Sequence, residues 1–178
     1  MVTPKEMLYL SDAALDALIE VLDFGDLDKP FEPTDATFSV DEYEYRCEFV
    51  LGPSAKNSND RVLEFKFVVA DGPNKPARDH FQTDVQHAVV VKKWGIGIIG
   101  VKHPLTALKR ALQSLLRYVR SYKPKYVSFS AEEPNRQRLY KKFYEYYGHL
   151  LPQYRMCNKN PETDEPLDQT EFWLERIE

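Results

Sequence analysis

Between Tyr43 and Leu51 every second residue is apolar, with Tyr43, Tyr45, Cys47, Phe49 and Leu51 alternating against Glu44, Arg46 and Glu48. A period of two sends successive side chains to opposite sides of an extended chain, so the pattern predicts a strand with one buried face. Leu63, Phe65, Phe67 and Val69 repeat the alternation against Glu64 and Lys66, and the turn-rich stretch 52–60 between the runs makes them an antiparallel pair. Two β-branched, apolar runs follow at 87–93 and 96–101, broken at Trp94-Gly95, and predict two strands or one bent strand. The period then changes to that of a helix. Leu105, Leu108, Leu112, Leu115, Leu116 and Val119 form one stripe between Pro104, suited to a first turn, and Lys123-Pro124, which stops the helix. Residues 126–130 predict a short buried strand. Ser130 and Glu133 have capping-box spacing and open a second helix that carries Leu139, Phe143, Tyr146 and Tyr147 on one side and ends at Gly148.

The flanks are simpler. Ser11 caps a short helix with Leu15, Leu18, Ile19 and Leu22 on one side, and Gly25 stops it. Residues 26–37 and the acidic stretch 158–169 read as loops, and 172–177 as a terminal strand. The order is helix, three or four antiparallel strands, long helix, strand, helix, strand. That is an α+β chain with a mixed, largely antiparallel sheet, helices on its faces, and one domain over 1–178. A parallel pair is expected between the strand ending near Val101 and the strand ending at Ser130, across the long helix.

Composition narrows the function classes. With 43% hydrophobic residues in 178, the chain can fill one core. It has no run approaching the roughly 18 apolar residues of a membrane span, and residues 1–10 lack the features of a signal peptide, so a cytoplasmic protein without a membrane partner is expected. Cys47 and Cys157 are far apart and have no clustered His, which predicts neither a disulfide nor a metal site. The net charge of −4 hides an asymmetry: 102–147 holds eleven Lys/Arg against three Asp/Glu, a local +8 that leaves −12 elsewhere. Such a basic segment is either a solvated helix face or a surface for phosphates, including those of a nucleic acid. Gly95, Gly97 and Gly100 match a dinucleotide-binding spacing by letter. Ile96, Ile98 and Ile99 between them read as strand, however, and no acidic residue stands about 20 positions further on, so the glycines ease a bent strand instead.

From Ile98 to Tyr147 the chain resembles GNAT-like proteins of tailed bacteriophages, a group carrying acetyltransferase labels. The matching residues are Ile98-Ile99-Gly100, the helix ending Lys123-Pro124, the strand Val127-Ser128-Phe129-Ser130-Ala131, and Glu133-Pro134-Asn135-Arg136-Gln137-Arg138-Leu139-Tyr140. The resemblance implies a sheet that receives acetyl-CoA, with its pyrophosphate at the start of the long helix, where free amides and the helix dipole favour an anion. It places Gly100, Lys102, His103 and Arg136 as cofactor-binding candidates, Tyr140 as the acid that reprotonates a departing thiolate, and Glu133 as a general base. Each has a structural alternative. Tyr140 belongs to an aromatic run at packing spacing, Glu133 to a capping box, Arg136 to a strand cap and His103 to a helix end.

Acetyltransferases of this kind place a Gln/Arg-x-x-Gly-x-Gly/Ala loop before the long helix. Here Gly100-Val101-Lys102-His103-Pro104 offers one glycine, two polar side chains and a proline that removes a donor. The departure favours a non-catalytic interaction protein with a host or phage protein as partner and no required cofactor. The alternatives are an N-acetyltransferase using acetyl-CoA and, below it, a nucleic-acid-binding protein using Lys/Arg and aromatics over 136–147.

Overall fold

The computed structural model describes residues 23–40, 43–71, 104–130, 134–168 and 171–177. A 3-10 turn at Pro33–Ala36 leads into β1 (Thr37–Val40), β2 (Tyr43–Pro53) and β3 (Arg61–Asp71). Then come helix α1 (Pro104–Tyr122), β4 (Tyr126–Ser130) and helix α2 (Pro134–Tyr147). A 3-10 turn at Gly148–Leu150 and strands β5 (Tyr154–Met156) and β6 (Glu171–Arg176) complete the chain. The six strands form one sheet in the order β1-β2-β3-β4-β6-β5. Among the described residues its one parallel junction is β3 with β4.

The alternation read in β2 and β3 becomes rows across this sheet. Phe49 lies opposite Phe65, Phe65 opposite Phe129, and Phe129 opposite Phe172. One register step away, Leu51, Leu63, Val127 and Leu174 form a second row. Because side chains on neighbouring strands in register share a side of the sheet, both rows meet one core. That core also holds Ala111, Leu112, Leu115, Leu116 and Val119 of α1 and Tyr140 and Phe143 of α2. Tyr118 of α1 stacks on Phe49 at 4.3 Å between ring centroids, and Phe24 meets Phe143 and Tyr147 edge-on at 5.8 and 4.9 Å.

The helix ends follow their sequence signals. Lys123 takes a left-handed φ of 47° directly after α1, and its amide donates to the Val119 carbonyl at 2.9 Å. Pro124 then prevents continuation. Gly25 takes a left-handed φ of 64°, which glycine adopts without strain, and its amide donates to the Asp23 carboxylate at 3.0 Å. The helix expected over 11–22 and the strands expected over 87–101 lie outside the described residues.

Three expectations need correction. The loop expected over 26–37 contains a 3-10 turn and runs into strand β1, which periodicity missed because only Phe38 and Val40 alternate. Tertiary contacts hold β1 in place: Phe38 stacks on Tyr45 at 5.5 Å and the Arg110 guanidinium lies 4.7 Å over the Phe38 ring. Strand β5 was not expected at all, since three residues carry no readable period. The parallel partner of β4 is β3, where the strand ending near Val101 was expected. β4 has two edges, and β3 and β6 occupy both.

Leu116 is 0% exposed and Val50 is 54% exposed. Leu116→Ala is expected to cost about 2–5 kcal/mol through lost burial and a residual cavity. Val50→Ala is expected to change stability by no more than about 0.5 kcal/mol. Urea unfolding of both variants checks the contrast.

Candidate functional site

β3 and β4 are paired from Val62 opposite Tyr126 to Phe65 opposite Phe129. β3 runs on to Asp71, while β4 continues to Ser130 opposite Glu171 on its other side. The parallel ladder therefore stops while β3 still has length to run. In sheets with parallel strands, ligands commonly bind outside the carboxyl ends of those strands. Helix α2 begins at Pro134, just after β4.

Of the six candidate residues from the sequence, the structure places Tyr140 fully. It is 3% exposed, with its ring centroid 4.8 Å from Phe129 and 6.4 Å from Phe172. The resemblance made Tyr140 a candidate, and its spacing within the aromatic run directs it onto the aromatic row of the sheet. Arg136 lies in the first turn of α2, and its side chain is outside the described set. Gly100, Lys102, His103 and Glu133 lie outside the described residues, as do the side chain of Arg138 and the whole of Lys102 in the basic cluster expected around the helix starts.

Sequence reasoning missed two features. One is a clasp. The connection between β5 and β6 folds back on the turn between β2 and β3, where the Glu162 carboxylate accepts hydrogen bonds from Ser54 Oγ at 2.7 Å and from the Ala55 amide at 2.5 Å. Lys56 pairs with Asp164, and Lys159 Nζ stands 3.4 Å from the same carboxylate. The readable signal was the opposition of Lys56 to the acidic residues of 158–169, although no pattern paired the two loops.

The other feature is a pair of clefts. One, of about 450 Å³, lies beside the end of α1 and includes Arg120, Lys123 and His149. The second, of about 530 Å³, lies beside the start of β6 and includes Lys141, Cys157 and Glu171. Burial pushes the Cys157 thiol up to about 11, and the buried Cys47 thiol up to about 12 with a hydrogen bond to Ser114 opposing the shift. Both thiols stay protonated at neutral pH and are poor nucleophiles there. Among the described residues no group of three or more His, Cys, Asp and Glu is arranged to hold a metal ion, and no helix is long and apolar enough to cross a membrane.

Comparison of the chain with protein-family models, with curated proteins and with solved structures returns no match.

The clasp generates a pH prediction. A hydrogen bond from Lys56 holds the Asp164 carboxyl below its ordinary 3.8, with Lys159 adding to the effect and desolvation opposing it. A carboxyl depressed in the folded state stabilises the fold above its unfolded value and loses that contribution as pH falls through the folded value. Wild type is therefore expected to be more stable than Asp164→Asn at neutral pH, with the difference closing once the pH drops below 3.8. Thermal unfolding of both proteins across that range checks it.

Proposed function

We propose that this chain is a GNAT-like scaffold that acts by binding a partner protein, of host or phage origin, rather than by transferring an acetyl group. The burial of Tyr140 carries this reading: at 3% exposure, between Phe129 and Phe172, its ring serves as core. A phenol that reprotonates a thiolate must come within hydrogen-bond reach of it. The GNAT-like assignment rests on the element order and on the parallel β3–β4 junction, with α1 between its strands and α2 and two antiparallel strands after it. The run from Gly100 to Pro104, with one glycine, adds chemical support.

A second reading is favoured by the β3–β4 ladder stopping while β3 continues to Asp71. An opening there would receive acetyl-CoA. Gly100, Lys102, His103 and Arg136 would then hold its phosphates, Glu133 would act as base and Tyr140 as acid, in transfer of an acetyl group to an amine. The cofactor would supply the activated acyl group.

Calorimetric or thermal-shift titration with acetyl-CoA separates the two readings. A ligand at roughly 100 times its dissociation constant adds about 2.7 kcal/mol to stability. No shift at millimolar acetyl-CoA is expected. A clear shift that Lys102→Glu abolishes would replace the binding reading with the acetyltransferase, and Tyr140→Phe would then be expected to lose turnover while keeping cofactor affinity.

A further inference from the structure

The cleft of about 450 Å³ beside the end of α1 lies at the amino end of β4, away from the carboxyl ends of β3 and β4. Its polar side chains include Arg120, Lys123, His149 and Gln153, and no described carboxylate lines it. Val119, Leu150, Leu151 and Pro152 supply apolar walls. Arg120 and Lys123 come from α1 and its terminus, and His149 from the turn at Gly148–Leu150.

Cations at a helix C-terminus are ordinary partners of the helix dipole. Here, however, the chain end beyond α1 already has its own partners. The Lys123 amide bonds the Val119 carbonyl, the Arg176 guanidinium bonds the Lys123 carbonyl, and the Tyr154 hydroxyl bonds the Pro124 carbonyl at 2.6 Å. None of these bonds uses the Lys123 ammonium. The backbone at Lys123 also argues for a use of its side chain, because φ 47° is a conformation in which glycine is the favoured residue. Neither Lys123 nor His149 has a carboxylate partner among the described residues. Among the described residues Arg120 pairs only with Asp28, whose side chain is 89% exposed, and such a surface ion pair yields readily to a competing anion.

We propose that this cleft binds a small molecule bearing a phosphate group on an apolar body, with Arg120, Lys123 and His149 taking the phosphate and Val119, Leu150 and Pro152 the body. The site is independent of acetyl-CoA and of the partner-binding reading. The Arg120 guanidinium and the Lys123 ammonium line one concave surface with the His149 imidazole, and a guanidinium and an ammonium give charge-assisted hydrogen bonds to phosphate oxygens.

Titration calorimetry of the full chain with phenyl phosphate and with inorganic phosphate tests the proposal. Phenyl phosphate is expected to bind saturably and more tightly than inorganic phosphate, since only it reaches the apolar walls. Lys123→Gly relieves the left-handed strain, so the variant should unfold at an equal or higher temperature while losing roughly tenfold in phenyl phosphate affinity. His149→Ala, on an exposed turn, should weaken binding without loss of stability. Absence of saturable binding to wild type, equal affinity for the two probes, or unchanged affinity in either variant overturns the proposal.

Discussion

Four residue pairs join the two halves of this sheet. Val62 to Phe65 of β3 lie beside Tyr126 to Phe129 of β4, and β6 and β5 join the sheet through that junction. The strands are distant in sequence, so loop closure costs entropy before any contact compensates for it. Burial offsets that cost. Leu63 and Val127 are 0% exposed and Phe65 and Phe129 are 1% exposed, so the junction is fully covered by the core. Below it, the Lys125 amide donates to the Arg61 carbonyl at 2.9 Å, and the Arg176 amide donates to the Lys125 carbonyl at 2.8 Å. These two bonds extend the junction past its last pair and attach β6 to it.

What could be read from the sequence depended on how many residues carried each signal. β2 and β3 contain enough alternating positions to define both a strand and its buried side, and both were legible. The stripe from Leu112 to Val119 fixed α1 and its buried side, and Lys123-Pro124 fixed its end. β1 and β5 were not legible, since four and three residues cannot establish a period and only pairing with neighbours makes them strands. Strand order was misread at one point for a different reason. A strand directly before a helix and a strand directly after it suggest a parallel unit, but adjacency in sequence does not decide which earlier strand occupies the free edge of β4. The apolar faces of β3 and β4 decide it, because Leu63 and Phe65 fall in register with Val127 and Phe129.

The candidate site was legible only as chemistry. Residue types that suit phosphate binding or proton transfer can be found in the chain, but whether they meet depends on packing that periodicity does not encode. Tyr140 illustrates the limit. Its position four residues before Tyr144 and seven before Tyr147 equally suits a catalytic phenol on a helix and a side chain packed on a sheet, and Phe129 and Phe172 receive its ring. The cluster of Arg120, Lys123 and His149 is the converse case. No motif links these residues, and they share a cleft because α1 ends where the chain returns from α2 towards β5.

The ionisable groups displaced from their ordinary values show what part side-chain charge plays in the described residues. General acid and base catalysis works best with groups poised near the working pH, and active sites displace their groups towards it. Here each described group whose value is displaced moves away from neutrality. Burial raises the Cys47 thiol to about 12 and the Tyr154 phenol to about 12, and it raises Tyr118 and Tyr126 above their ordinary 10.0. Lys56 and Lys159 lower Asp164, and a hydrogen bond to Glu175 raises Arg155. Thiols and phenols so held remain neutral hydrogen-bonding or packing groups, and the charged groups keep their charge across the physiological range. In the described part of the chain these groups therefore serve packing, hydrogen bonding and ion pairing.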